Sequence, residues 1–147
     1  MKDRFTLDVV DALDPEFDRL AKLARSEDFR FMDTLIDRWR DGSNRFDQPG
    51  EAYFAVRRNG RLIAAGGLNR DPYCQEPGTG RVRHVYVEPD VRRSGAGRLL
   101  VEAIVDRARD AFKIVRLRTQ TQRGALFYEA LGFVRCDDPT ATHRLAL

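Results

Sequence analysis

The spacing of apolar residues predicts a strand, two helices and a hairpin in the first half of the chain. Residues 5–10 alternate weakly between apolar and polar side chains, which is typical of a strand. Apolar side chains then recur at helical spacing over residues 15–24 and again over residues 32–39. Two further apolar runs flank Asn59-Gly60, and this dipeptide is a strong signal for a hairpin turn.

The second half predicts four strands and two helices after a polar loop at residues 69–78. An apolar face with helical spacing begins at Leu99, and β-branched runs mark the strands on either side of it. The predicted strands cover residues 81–88, 112–119, 133–136 and 142–147, and the second helix covers residues 122–131.

These elements follow one another in the order β-α-α-β-β-β-α-β-α-β-β, with no internal repeat and no linker. A length of 147 residues suits one domain with a substantial core, so residues 1–147 are predicted to form a single domain. The order predicts an α+β fold in three layers, in which a mixed central sheet of about seven strands carries helices on both faces.

The junction between the strand at residues 81–88 and the next helix carries the clearest chemical signal. It reads Val-Tyr-Val-Glu-Pro-Asp-Val-Arg-Arg-Ser-Gly-Ala-Gly-Arg, from Val85 to Arg98. Glycines let a backbone approach a ligand, and the first N–H groups of a helix have no internal partner, so such a junction suits a phosphate or pyrophosphate. Arg92, Arg93 and Arg98 are expected to add direct phosphate contacts. The alternative is a flexible loop that only caps the helix.

Two better-known phosphate motifs do not fit this junction. A Walker loop ends in Lys-Ser/Thr, where this chain has Arg98-Leu99, and a dinucleotide fingerprint needs a third glycine where Leu100 stands. The pattern that remains is Arg-x-x-Gly-x-Gly, from Arg92 to Gly97, behind a strand that ends in Val-x-Val-x-Pro.

A second motif lies downstream, on the last predicted helix. It contains Ala125 and Tyr128 and is followed by Gly132-Phe133 at the start of the next strand. In this order and spacing, over about residues 82–135, the two motifs resemble those of the GCN5-related N-acetyltransferase (GNAT) family. The N-terminal half is similar to the family only in its order of elements. The resemblance implies an enzyme that moves an acetyl group from acetyl-CoA, its co-substrate, directly to a primary amine.

The resemblance also implies where the cofactor lies. The strand before Pro89 is expected to bulge and to splay from the strand at residues 112–119, and the pantetheine arm is expected to pair with the backbone of Val85 and Val87. An N–H near Val87 would then face the developing oxyanion. The alternative is that both valines only pack in the core. The full set of implied cofactor-binding residues is Val85, Tyr86, Val87, Arg92, Arg93, Ser94, Gly95, Ala96, Gly97, Arg98, Gln122 and Phe127.

Tyr128 is the implied general acid for the departing thiolate, because the family's acid occupies this place, four residues before Gly132. A phenol has an unperturbed pKa near ~10, close enough to that of a thiol to protonate a thiolate. The alternative for Tyr128 is packing in the core, which is also expected of Phe127 and Phe133.

Two residues are candidates for the general base that takes a proton from the amine. His84 and Glu88 alternate with Val85 and Val87 and are expected to share one face of the strand with Tyr86. A histidine that titrates near neutrality is a natural base, and a glutamate is the alternative, directly or through water. Each candidate has an alternative without a catalytic role. His84 would be a hydrogen-bonded core residue, and Glu88 would only flank the bulge. An amine that arrives deprotonated needs no strong base.

The acceptor side is inferred from position alone. Some relatives carry a glutamate at about the place of Arg116, whereas Arg116 and Arg118 here favour an acceptor with a carboxylate or phosphate, unless both are merely solvated. The acceptor is expected to be a small-molecule amine or a peptide or protein amine. The residues expected to line its pocket are Asn69, Asp71, Tyr73, Asp33 and Trp39.

Composition sets bounds on partners and location. The net charge of +3 does not require nucleic acid, and no apolar run approaches the ~20 residues of a membrane helix. Residues Met1 to Arg4 lack the apolar stretch of a signal peptide, and Cys74 and Cys136 lack metal-ligand spacing, so a reduced cytoplasmic protein without a metal is expected. The family resemblance is compatible with a homodimer, because dimers are common in that family, but the sequence does not fix the oligomeric state. A CoA-binding sensor without turnover is the alternative function, and a nucleic-acid-binding domain is a weaker one.

Overall fold

The helices and strands follow the order that the sequence predicts. The computed structural model describes residues 4–147, so Met1, Lys2 and Asp3 of the N-terminal stretch considered above lie outside the described residues. The strands are β1 (Phe5–Val9), β2 (Ala52–Arg58), β3 (Arg61–Arg70), β4 (Thr79–Val87), β5 (Ile114–Leu117), β6 (Val134–Asp138) and β7 (Ala141–Ala146). The helices are α1 (Pro15–Ser26), α2 (Phe31–Asp41), α3 (Ala96–Arg109) and α4 (Gln122–Ala130), with a 3-10 turn at Pro89–Val91.

Two boundaries differ from the sequence prediction for local reasons. The strand expected over residues 112–119 is shorter, because the Phe112 N–H donates to the Ala108 carbonyl at the end of α3 (2.8 Å). β3 extends to Arg70 and β4 begins at Thr79, so the loop between them is shorter than the ten residues expected.

The seven strands described here form one sheet in the order β1-β2-β3-β4-β5-β7-β6. Each neighbouring pair is antiparallel except β4 and β5, which are parallel, so the sheet is mixed as predicted. One face is covered by α1 and α2 through buried residues such as Phe17 and Trp39. The other face is covered by α3 around Leu100, together with Tyr128 of α4. Within residues 4–147, no helix has the length and apolar content needed to cross a membrane.

β4 and β5 separate soon after they begin to pair. Their parallel register joins Thr79–Arg81 to Ile114–Arg116 and extends no further along either strand. β4 continues to Val87, and along this stretch its β5-side edge has no strand partner in the described part of the chain. The expected splay is therefore present, and it leaves backbone donors and acceptors open along this edge of β4.

A β-bulge lies within the open stretch of β4. Tyr86 pairs with Ala65 and Arg83 pairs with Gly67, so two residues of β4 stand opposite one residue of β3. The first of the two, His84, has a φ of +54°, which is uncommon for a residue with a side chain. The bulge that the family resemblance implies is thus centred on a residue that the sequence also marks as a candidate base.

Candidate active site

The turn between β4 and α3 has the backbone geometry of an anion-binding site. Arg93 (φ +68°) and Gly95 (φ +95°) both lie in the left-handed region, and Gly95 is the N-cap of α3 without a side-chain cap. No hydrogen-bond acceptor within residues 4–147 faces the backbone N–H groups of Gly95, Gly97 or Arg98. These groups sit at the positive end of the α3 dipole, where an anion is stabilised.

The two glycines of this turn have different surroundings. A Cβ placed on Gly95 would meet no atom within 4 Å. A Cβ placed on Gly97 would lie 3.2 Å from Val87 Cγ2 and 3.3 Å from Phe127 Cζ. Gly95 therefore borders open space of the kind that a pyrophosphate needs, whereas Gly97 lets α3 pack closely against β4 and α4.

The arginines of the turn do not share one role. The Arg92 guanidinium donates to both carboxylate oxygens of Glu27, at 2.9 and 2.7 Å, and its Nε donates to the Val87 carbonyl at 3.1 Å. The expected phosphate contact of Arg92 is therefore corrected, because this guanidinium is engaged with Glu27 beyond the end of α1. Arg93 and Arg98 are exposed, and Arg98 Nε also donates to Glu102 on the surface of α3 at 2.7 Å. Their contact with a phosphate stays a prediction.

Glu27 also connects the turn to β4. The Tyr86 hydroxyl donates to Glu27 Oε1 at 2.5 Å, and the Arg92 guanidinium lies 5.6 Å from the centre of the Tyr86 ring. The hydrogen bonds from Arg92 and Tyr86 hold the pKa of the Glu27 carboxyl below its ordinary value, although burial opposes them. Burial and the Glu27 carboxylate raise the pKa of Tyr86. Sequence reasoning missed Glu27, because it lies 59 residues before Tyr86 and carries no motif.

The open edge of β4 presents the backbone of Val87. The Glu88 N–H donates to the Ile63 carbonyl of β3 at 2.8 Å. Because backbone groups of successive residues in a strand point to opposite edges, those of Val87 point to the β5 side. The Val87 carbonyl accepts from Arg92 there, and its N–H has no partner within the described residues. The side chains of Val85 and Val87 pack against the α3 core, as their alternative interpretation predicts.

Tyr128 lies on α4 with 8% of its surface exposed. Its ring packs between Phe127 and Phe133, with centroid distances of 5.1 and 5.5 Å. The hydroxyl makes no hydrogen bond within residues 4–147, and burial raises its pKa, which keeps it protonated. A protonated hydroxyl without a partner suits a proton donor, so the general-acid role stays a prediction that this environment supports. Gln122 is exposed at the first position of α4.

His84 does not have the environment expected of a base that titrates near neutrality. Its ring stacks on Phe31 of α2 at 6.3 Å and meets Phe46 edge-on at 6.1 Å. Its Nε2 atom is buried and has no hydrogen-bond partner in the described chain. Burial, with repulsion from Arg83 and Arg38 added, lowers the pKa of His84 to about 3. The expectation of a neutral-range pKa is therefore wrong, because the imidazolium would be desolvated among cations.

Glu88 is also engaged in structure. Only 3% of it is exposed, and one carboxylate oxygen accepts from Arg19 of α1 and from Arg61 of β3, both at 2.6 Å. Burial alone would raise the pKa of Glu88, but the hydrogen bonds from the two arginines outweigh it and lower the pKa. A carboxylate held by two cations is a poor proton acceptor, so the expectation of a free base at Glu88 is corrected: Glu88 joins α1 to the β2–β3 hairpin.

A comparison with protein families matches residues 11–133 to the acetyltransferase (GNAT) family. The chain belongs to the GNAT family. A search of curated proteins finds no match. Among solved structures, a protein assigned as an acetyltransferase from Exiguobacterium sp. 255-15 is 28% identical, with a TM-score of 0.87 over 97% of this chain and 93% of that one.

Two more distant structures share the GNAT fold. A protein assigned to the family from Desulfovibrio desulfuricans is 16% identical, with a TM-score of 0.77 over 97% of this chain and 99% of that one. The ribosomal-protein-S18-alanine N-acetyltransferase from Escherichia coli is 18% identical, with a TM-score of 0.68 over 96% of this chain and 90% of that one. At these identities the likeness supports the fold alone.

The point where β4 and β5 diverge in this GNAT chain is held by a buried carboxylate. The last parallel pair sets Arg81 directly opposite Arg116. Asp71, whose side chain is fully buried, accepts from Arg116 Nε at 2.7 Å and from Arg81 Nη1 at 3.4 Å. Arg116 also pairs with Asp138 at 3.2 Å. Arg116 is therefore structural, and the expectation that it recognises the acceptor is corrected. The expectation that Asp71 lines the acceptor pocket is corrected for the same reason.

The other expected acceptor residues are only partly brought together. Trp39 is buried in the α2 core and Asp33 pairs with Arg25 of α1, so neither is free for an acceptor as expected. Arg118 is exposed at the end of β5. Asn69 and Tyr73 lie near one another, because both contact Arg83. Sequence reasoning named these two but missed Arg83, which alternation along the strand gave no reason to single out.

Proposed function

We propose that this GNAT protein transfers an acetyl group from acetyl-CoA directly to a primary amine. The observation that carries the proposal is the continuity between the unpartnered N–H groups at the start of α3 and the open edge of β4. A pyrophosphate and an extended amide-bearing arm are the two parts of CoA that such a surface suits. The open space at Gly95 and the free Val87 N–H support the fit.

In this proposal the backbone N–H groups of Gly95, Gly97 and Arg98 bind the pyrophosphate, and the exposed Arg93 and Arg98 side chains add charge. Ser94 and Ala96 take part by shaping the same turn, because the Ser94 N–H donates to the Val91 carbonyl at 3.2 Å and the Ala96 N–H donates to Ser94 Oγ at 3.4 Å. Arg92 acts indirectly, because its pair with Glu27 fixes the path of the turn. Phe127 borders the cofactor where α4 approaches Gly97, and Gln122 marks the exposed start of α4 beside it.

The chemical step needs a polarised carbonyl and a proton for the leaving thiolate. The Val87 N–H is free to stabilise the developing oxyanion. The amine nitrogen forms a bond to the acetyl carbon as the carbon–sulfur bond breaks, and the Tyr128 hydroxyl donates its proton to the thiolate. Neither His84 nor Glu88 suits the removal of the amine proton. The acceptor is therefore proposed to react as the neutral amine, whose surplus proton passes to water.

Two measurements test the proposal. Isothermal calorimetry with acetyl-CoA measures binding, and detection of free CoA thiol over a panel of amines measures turnover. Binding with turnover supports the enzyme, binding without turnover supports the CoA-binding sensor, and no binding rejects both. Mass spectrometry after incubation with acetyl-CoA alone adds a check, since an acetylated Cys74 or Cys136 would contradict direct transfer.

A further inference from the structure

Arg83 is a cation on the open stretch of β4 that lacks an acidic partner. It lies two residues beyond Arg81, where pairing with β5 ends, and no carboxylate within residues 4–147 is close enough to form a salt bridge with it. Its Nη1 donates to Asn69 Oδ1 at 3.4 Å, and its guanidinium lies 5.9 Å from the centre of the Tyr73 ring. Arg81, by contrast, has Asp71.

The surroundings make this cation unfavourable in the protein alone. Arg83 is half-buried, and burying a charge without an opposite charge costs free energy. Burial lowers the pKa of the Arg83 guanidinium, and repulsion from Arg81 and Arg38 adds to the effect. Tyr73 and Asp71 act on this pKa in the opposite direction but do not cancel the effect. An anion bound at Arg83 would relieve both the desolvation and the repulsion.

The residue next to Arg83 supplies a second polar group without a partner. His84 Nε2 is buried and makes no hydrogen bond in the described chain. The rings of Phe31 and Phe46 flank the imidazole as apolar walls, and Arg83 and Arg38 are the cations that act on it. An unpaired cation and an unpartnered nitrogen beside apolar walls are the usual composition of a small-molecule site.

We propose that Arg83 binds the carboxylate of an acceptor that carries both a carboxylate and a primary amine. The proposal rests on the acetyl transfer proposed above. A guanidinium binds a planar carboxylate through two parallel N–H donors, which gives orientation as well as affinity. Arg83 and the free Val87 N–H belong to the same open stretch of β4, so a carboxylate held at Arg83 keeps the amine of a short molecule near the proposed thioester site.

The test compares ω-amino acids with their primary amides. Glycine, 3-aminopropanoate, 4-aminobutanoate and 5-aminopentanoate are each paired with the amide, at equal concentrations of unprotonated amine, and CoA release is measured. Hydrogen bonds to charged groups contribute about 1.5–3 kcal/mol, so the acid of the best length is expected to have a kcat/KM at least about tenfold above that of its amide. The difference is expected mainly in KM, because Arg83 binds the acceptor.

Three variants assign the preference to a residue. In Arg83→Gln the acid and the amide are expected to become equal, while turnover of the amide is retained. Arg83→Lys is expected to restore part of the preference. Arg118→Gln removes an exposed arginine next to the neighbouring strand, and this variant is expected to keep the preference for the acid. The proposal would be overturned if the unaltered protein used the acid and its amide equally well. It would also be overturned if the preference for the acid persisted in Arg83→Gln, if Arg118→Gln lost that preference, or if the protein preferred O-phosphoethanolamine more strongly.

A binding measurement separates this proposal from the proposed function. With CoA present, butanoate is expected to raise the melting temperature of the unaltered protein more than butanamide does, and Arg83→Gln is expected to remove the difference. If no amine is acetylated, the proposed function fails, and this comparison still decides the role of Arg83. Equal melting temperatures with butanoate and butanamide would then reject it. Without ligand, Arg83→Gln is expected to melt no lower than the unaltered protein, because it loses an unpaired charge.

Discussion

The Arg92 guanidinium holds both carboxylate oxygens of Glu27, and this pair ties the end of α1 to the turn where α3 begins. One residue of the turn is thus fixed by the opposite face of the sheet. The turn presents its N–H groups to an anion only while its backbone keeps two left-handed residues in place. In the proposed function the Glu27–Arg92 pair is therefore a positioning contact for the turn rather than part of the surface that binds the cofactor.

Glu27→Gln tests that positioning contact. The two side chains are 25% and 22% exposed, so the loss of the charge pair is expected to lower the free energy of unfolding by only about 1 kcal/mol. Acetyl-CoA affinity is expected to fall with it. Because the folded-state pKa of Glu27 is lowered, the advantage of the unaltered protein is present above the ordinary carboxyl pKa and is lost as the pH falls through the folded value. Urea unfolding at pH 7 and pH 4 measures the difference in unfolding free energy between the unaltered protein and Glu27→Gln. The same difference at both pH values would contradict the prediction.

Gly95→Glu is expected to abolish acetyl-CoA binding. The new side chain would enter the open space at Gly95 and place a negative charge where the pyrophosphate is proposed to bind. Gly95→Ala is the control, because it carries the same backbone strain at φ +95° without the charge. Calorimetry that finds equal affinity in the folded Gly95→Glu variant would reject the site.

Tyr128→Phe is expected to keep acetyl-CoA affinity and to lower kcat by a factor of ~10²–10⁴, the usual contribution of a general acid. The hydroxyl has no partner in the described chain, so its removal breaks no hydrogen bond and stability is expected to change little. Phe133→Leu, which alters the ring that packs on Tyr128 at 5.5 Å, is a packing control. The measurement needs an acceptor for which the acetyl-transfer step limits turnover. An unchanged kcat with that acceptor would show that Tyr128 only packs in the core.

His84→Gln is expected to change the pH dependence of stability. Above the ordinary histidine pKa the ring is neutral in both states, but between about pH 6.5 and 3 the unfolded chain binds a proton that the folded chain does not. The free energy of unfolding therefore falls as the pH falls, by on the order of 2 kcal/mol at pH 5. The variant should lose this part of the slope in urea unfolding between pH 8 and pH 5. An acidic limb near pH 6–7 in kcat/KM that His84→Gln removes would contradict the buried, neutral ring.

Asp71→Asn is expected to destabilise the protein by on the order of 3 kcal/mol, because it leaves Arg81 and Arg116 opposite one another without the shared carboxylate. Asp18→Asn removes the exposed partner of Arg40 and should have almost no effect. Chemical denaturation of both variants measures the contrast. Similar losses of unfolding free energy in Asp71→Asn and Asp18→Asn would mean that the buried ion pairs of Asp71 add nothing to stability.

The fold could be predicted from sequence because its elements have local signals. Asp14 caps α1 through its side chain, and Asn59 and Gly60 both have a positive φ, as the hairpin signal requires. The turn from Arg92 to Gly97 and Tyr128 could be singled out because each belongs to a motif of neighbouring residues. The pairing of side chains carries no such signal. Arg92 and its partner Glu27 are 65 residues apart, and the two partners of Glu88 are 69 and 27 residues from it. Nothing local therefore separates a phosphate ligand or a base from half of a salt bridge.

The short parallel pairing divides the sheet into two blocks, β1 to β4 and β5 with β7 and β6. Their main chains pair over Thr79–Arg81 and Ile114–Arg116, next to the hydrogen bonds that the Gly78 carbonyl accepts from Lys113 and Ile114. A CoA arm bound along β4 would supply part of the missing ladder, so the ligand would complete the fold as well as take part in the reaction. Binding should then slow amide hydrogen exchange in β4 and β5 far from the turn at Gly95, because the two blocks would open together less often. The acetyl donor would in effect be the eighth strand of the sheet.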